Sequence, residues 1–237
     1  DNRSGHAMTY VSPFFLPGGV NGPFISYNSH TMSDINPGNN NGQLDYGESI
    51  YLGLTMENIG SDPDTNVMVS LSTTSPYITM IDSTEDYGNF ASEEIKYITD
   101  GFHFIVADNV PNDYEVEFEV KAVDKNDSIF ISGFKIMAHA PQLQINGLTI
   151  SDPTGNNNNS LDPGETAQVT ISYTNTGQFP ISSAISHLTT PQTFITVSNP
   201  AVNMTDIPVG GNGSATFNVT VASVPFGSAV LLQNLVN

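Results

Sequence analysis

The chain has 237 residues, length for two ordinary domains, and its 38% hydrophobic residues supply a core for each. Twenty-four acidic residues against five Lys or Arg leave a net charge of -19, which repels phosphate backbones and anionic bilayers, so neither nucleic acid nor a membrane surface is an expected partner. With no Cys there is neither a disulfide nor thiolate chemistry, and no apolar run is long enough for membrane insertion.

Residues 1 to 22 carry Tyr10, Phe14, Phe15 and Leu16 amid Pro and Gly. They open without a basic, then apolar, leader, which fits a chain whose signal peptide has been removed. They match nothing downstream and read as an N-terminal arm or the remnant of a preceding domain. After them the sequence repeats itself. Pro23, Asn28, Thr31, Ser33 and Asp34 recur as Pro141, Asn146, Thr149, Ser151 and Asp152, at an offset of 118. One deletion then sets the offset to 117, where Leu44, Asp45, Gly47 and Glu48 meet Leu161, Asp162, Gly164 and Glu165, and Asn58 and Gly60 meet Asn175 and Gly177. Val110 and Pro111 answer Val224 and Pro225 after a further slip. A register held this long marks two copies of one unit, at residues 23 to 140 and 141 to 237.

Within each copy the dominant period is two, the mark of strands with one buried and one solvated face. In chain order, Ile50, Leu52, Leu54 and Met56 alternate with small or polar residues, then Val67, Val69 and Leu71, then Tyr114, Val116, Phe118, Val120 and Ala122 between charged neighbours. Residues 128 to 138 predict a last strand. In the second copy Val169, Ile171 and Tyr173, then Ala215, Phe217, Val219 and Val221, repeat the pattern between Gly, Pro and Asn turns, and no helix is predicted. The expected fold is all-β: two tandem Ig-like or fibronectin-like antiparallel β-sandwiches without the antibody disulfide and tryptophan. The second copy ends before a counterpart of the 128 to 138 strand, so a longer protein continues there or another segment supplies that strand.

The candidate site is the loop opening each copy. Asp34, Asn39, Asn41, Asp45 and Glu48 offer side-chain oxygens at nearly every second position, a layout suited to a hard cation such as calcium, and Asp152, Asn156, Asn158, Asp162 and Glu165 stand in matching places. The layout departs from an EF-hand, whose first ligand position falls on Pro37. Asn159 replaces Gly42 and tolerates the same left-handed backbone. Asn, Gly and Pro are equally what tight turns use, so a structural calcium site and a metal-free turn both remain open.

Catalytic signals are sparse. His6, His30, His103, His139 and His187 fall at non-equivalent positions without metal-ligand spacing, and there is no nucleophile elbow or phosphate-cradling Gly loop. The aromatic runs at 10 to 15 and 102 to 104 read as packing rather than sugar platforms. Charge separates the copies, with 19 acids and four Lys in the first against four acids and no base in the second.

The stretch from Asn41 to Glu48, the alternating strand after it, Glu57 to Gly60, Pro76 to Thr79, and Tyr87 with Gly88 resemble the Ig-like repeats of large secreted bacterial proteins. Such repeats follow the catalytic domain of gingipain-type cysteine peptidases and occur in related surface adhesins. The second copy departs by lacking the Tyr-Gly element. The resemblance implies a secreted or cell-surface, non-enzymatic accessory module, acting as spacer, stabiliser of an attached domain or adhesion element, whose partners are flanking domains and a surface protein or glycan. The alternative is a carbohydrate- or peptide-binding module that targets a secreted hydrolase.

Overall fold

Alternation becomes strands wherever one face of a segment is wholly apolar. The computed structural model describes residues 20–34, 38–223 and 227–237; the arm residues 1–19, with the aromatic run at 10–15, and the repeat match at 224–225 lie outside them. Among the described residues there is no helix, and the chain divides after His139 into two units.

In unit 1 one sheet has the order β1 (Ile25–Ser33), β3 (Ser49–Asn58), β7 (Ile95–Val106), β5 (Ile78–Asp82). The other runs β2 (Leu44–Asp45), β9 (Ile129–His139), β8 (Tyr114–Val123), β4 (Asp64–Ser72), β6 (Thr84–Phe90). All pairings are antiparallel except β2 with β9. Leu52, Leu54, Met56, Phe102 and Phe104 from the first sheet meet Val67, Val69, Val116, Phe118 and Val120 from the second, all buried. Phe104 and Phe118 bridge the sheets with centroids 5.2 Å apart. Phe102 and Phe104 are therefore core, as their alternation implies. Glu115, Glu117, Glu119 and Lys121 fill the wet face of β8, where Lys135 pairs with Glu115 and, at 2.7 Å, with Glu117.

Unit 2 repeats the first sheet as β10 (Leu143–Ser151), β11 (Thr166–Asn175), β15 (Asn212–Val221), β13 (Ile195–Val197). Its second sheet is shorter: β14 (Ala201–Ile207), β12 (Ile181–Thr189), β16 (Gln233–Val236). Even irregularities repeat, since the bulge between Tyr27 and Ser29 on β1 recurs between Ile145 and Gly147 on β10. β16 flanks β12 as β8 flanks β4. Among the described residues nothing takes the place of β9. Each unit is an Ig-like antiparallel β-sandwich.

One core level shows how the copies diverged without losing volume. Unit 1 buries Met56 on β3 and Tyr87 on β6; at the equivalent positions unit 2 buries Tyr173 on β11 and Met204 on β14. The ring has moved to the facing sheet and the thioether has moved the other way, a swap that close-packed cores tolerate because total volume is kept. Each phenol finds a new acceptor or donor, Tyr87 donating to the Leu54 carbonyl at 2.8 Å and Tyr173 bonding Ser186 Oγ at 2.6 Å.

Candidate functional site

The opening loops are built by Asx turns. Asn39 Oδ1 accepts the Asn41 N–H at 2.9 Å and Asn41 Oδ1 accepts the Gln43 N–H at 2.7 Å, so each amide oxygen is committed and each amide NH2 faces the carboxylates. Both NH2 groups donate to Asp45 Oδ2, from Asn39 at 2.7 Å and Asn41 at 2.8 Å. The Asn39 N–H reaches Glu48 Oε1 at 3.1 Å and the Asn41 N–H reaches Asp34 Oδ2 at 3.0 Å. All five predicted residues of unit 1 are thus gathered in one network.

Unit 2 rebuilds it. Asn156 and Asn158 donate to Asp162 Oδ2 at 2.7 and 2.8 Å, the Asn156 N–H reaches Glu165 Oε1 at 3.1 Å, and the Asn158 N–H reaches Asp152 Oδ2 at 3.2 Å. Asn159 takes φ 61° where Gly42 takes φ 73°. Two differences separate the loops. The Asn159 N–H adds a bond of 2.8 Å to Asp152 Oδ1, and the absence of a β9 counterpart among the described residues leaves Asp162 half-buried, whereas Asp45 lies under β9 beside His139, Oδ1 to Nδ1 3.5 Å.

Electrostatics follow. Burial, then the neighbouring Asp45 and Asp34 carboxylates, push the Glu48 carboxyl up to about 7, against the stabilising Asn39 N–H. Asp152 goes the opposite way: burial works to raise it, but the N–H groups of Asn159, Asn158 and Asn157 together outweigh burial and hold it below its ordinary value. Among the described residues no three His, Cys, Asp or Glu side chains converge as a ready-made metal cage.

The residues that sequence reasoning passed over are Asn58 and Asn175, visible in it only as members of the repeat. Both are fully buried. Asn58 Oδ1 accepts the N–H groups of Phe24 at 3.0 Å and Gly60 at 3.1 Å, while its NH2 donates to the carbonyls of Asp62 at 2.8 Å and Ala91 at 3.0 Å. Asn175 makes the same four bonds, to Gln142, Gly177, Phe179 and Ile207. Gly60 and Gly177 let the backbone pass: a Cβ there would stand 2.0 Å from the Gly22 carbonyl and 2.3 Å from that of Ala140.

A second carboxyl pair also escaped the sequence reading. Asp64 and Asp124 are both buried. Burial, with Asp124 beside it, raises the Asp64 carboxyl, and its Oδ2 has no donor. At Asp124 burial is outweighed by the Ser128 and Asn126 N–H groups, which hold it down. A folded-state pKa raised above the unfolded one stabilises below the unfolded value, and that contribution is lost as pH rises through the raised one. Asp64→Asn, whose NH2 donates to Asp124 without charge, is therefore expected to stabilise unit 1 by about 1 kcal/mol at neutral pH, with the gain shrinking as pH falls towards about 4. Urea unfolding at the two pH values checks it, and a loss of stability at neutral pH contradicts it.

The four described histidines sit apart. His30 bonds Tyr27 OH at 2.6 Å and burial lowers its pKa, His139 faces Asp45, and His187 lies on β12. His103 Nε2 lies 2.7 Å from Ser49 Oγ with its ring stacked on Tyr51 at 4.2 Å, on a sheet face whose backbone N–H groups are spent in the β3–β7 ladder. That contact joins neighbouring strands of the β3–β7 ladder beside a stacked ring pair.

Comparisons with known proteins add no relative. No protein-family model and no curated protein sequence matches the chain. Among solved structures it is similar to the secreted serine protease VesC from Vibrio cholerae, at 14% identity and TM-score 0.29, covering 87% of this chain and 48% of that one. Red sea bream transglutaminase matches at 10% identity and TM-score 0.32, over 88% of this chain and 28% of that one. The YadV chaperone matches at 12% identity and TM-score 0.28, over 89% of this chain and 100% of that one. The chain spans about half of the VesC chain or less of the larger proteins, and likeness at this level carries no functional argument.

Proposed function

We propose that the chain is a non-catalytic pair of Ig-like modules from an exported bacterial protein, serving as spacer, stabiliser of an attached peptidase-like domain, or adhesion element. The observation that supports it is the duplication of the opening loop, in which four hydrogen bonds recur within 0.2 Å in both units. In both units the same Asn amide and backbone N–H donors are spent on the loop's own carboxylates. A reaction centre needs groups poised towards a substrate, and these donors are committed to carboxylates of their own loop. The resemblance to Ig-like repeats of gingipain-type peptidases and surface adhesins agrees with this reading.

The runner-up, a glycan-targeting module, is favoured by one feature: Tyr51 and Tyr97 are both exposed on the β3–β7 face of unit 1, Tyr97 OH bonded to Thr31 Oγ1 at 2.7 Å. The deciding experiment offers the purified chain chromogenic peptide, ester and glycoside substrates, and titrates it with a panel of neutral oligosaccharides. No turnover and no saccharide heat support the accessory reading. Turnover lost on unfolding overturns it, and saturable binding abolished by Tyr97→Ala moves the assignment to the glycan module.

A further inference from the structure

The two loops share a scaffold but not its completeness. In unit 1 the three carboxylates are all but sealed from solvent, Asp34 at 1%, Asp45 at 0% and Glu48 at 6% exposure. Each keeps one buried oxygen without any hydrogen-bond partner: Asp34 Oδ1, Asp45 Oδ1 and Glu48 Oε2. A buried charged oxygen left unpaired is among the costliest features a fold can carry, and three in one loop call for a positive partner. Their network supplies only neutral N–H donors, and the one imidazole within reach, His139, touches a single carboxylate at 3.5 Å. In unit 2 both oxygens of Asp152 are satisfied, Asp162 is half-exposed to water, and among the described residues Glu165 Oε2 is the one buried carboxylate oxygen of the loop without a partner, on a half-exposed side chain.

We propose that the opening loop of unit 1 binds a hard divalent cation of the calcium class through Asp34, Asp45 and Glu48, and that the loop of unit 2 is its metal-free counterpart. The donor set is entirely carboxylate oxygen, which suits calcium over zinc or copper, and calcium accepts the irregular geometry of a loop better than magnesium does. Because the carboxylates do not already converge as a cage, binding draws the spare oxygens together and gives modest affinity, of the order of 10⁻⁴ to 10⁻³ M, as in extracellular modules. The inference stands whether the module is a spacer or a glycan binder.

The test is a thermal melt and a calorimetric titration of the whole chain with calcium chloride against chelator. The expected result is a rise of about 5 °C in one unfolding transition, abolished by Asp34→Asn or Glu48→Gln and kept by Asp152→Asn and Glu165→Gln. Terbium luminescence sensitised through Tyr46, next to Asp45, reads binding without depending on how the variants fold. No calcium heat and no terbium signal from the folded wild-type chain overturns the proposal, as does a shift that survives Asp34→Asn and Glu48→Gln or is lost on the unit 2 changes.

Discussion

Asn58→Ala is expected to unfold unit 1, and Asn175→Ala unit 2, or to leave each barely stable. Alanine removes one buried side chain and strands four backbone groups: two N–H donors, on Phe24 and Gly60, and two carbonyls, on Asp62 and Ala91. Each buried group left unpaired costs about 1–3 kcal/mol, so the loss amounts to roughly 4 kcal/mol or more against a domain stability of about 5–15 kcal/mol. The asparagine joins the start of β1, the turn from β3 to β4 and the end of β6, so its loss loosens both sheets together. Asn28→Ala provides the contrast, because its amide bonds Glu57 at 2.8 Å on an exposed face, and a surface change of this kind stays within about 0.5 kcal/mol. Denaturant unfolding of the three variants measures the difference. A cost near that of Asn28→Ala for either buried asparagine removes it from the role assigned here.

The register of the repeat was legible because side-chain identity at turns survives where core residues drift. Asp34, Gly47 and Asn58 keep their counterparts for backbone reasons, a carboxylate accepting N–H groups, a positive φ of 72°, and four hydrogen bonds. Core positions obey only volume and polarity, which is why the exchange of Met56 and Tyr87 for Tyr173 and Met204 leaves no pairwise signature in either copy. The strands announced themselves through their alternation, β8 most clearly. The loop residues were legible as a set, but their connectivity was not: the spacing suits metal ligation by Asn oxygens, whereas the Asx turns point those oxygens at backbone N–H groups and the NH2 groups at Asp45. The Asp64 and Asp124 pair was hidden because the two residues belong to strand ends that only the tertiary fold brings together.

Adding a counterpart of β9 to unit 2, which has none among the described residues, is expected to stabilise it more than any single substitution. In unit 1, β9 covers β1: Tyr27 and His30 stack on Phe134 at 4.7 and 4.6 Å, and the Tyr27 N–H donates to Ser132 Oγ at 3.0 Å. The residues at the same places in unit 2 are Ile145 and Leu148, 54% and 52% exposed. Both are large apolar side chains on a strand that nothing covers among the described residues. Extending the chain past Asn237 with a turn and the sequence of β9 gives β16 an antiparallel neighbour and lays a phenylalanine over both side chains. Fully burying such a side chain yields about 1.5–3 kcal/mol, so covering the pair yields about 3 kcal/mol before the cost of ordering the added strand. Urea unfolding should show the unit 2 transition moving to higher denaturant while that of unit 1 stays put, and the gain should fall away when alanine replaces the phenylalanine of the added segment. An unchanged unit 2 transition would mean that Ile145 and Leu148 are solvated by design, and that the two copies have parted in architecture as well as in sequence.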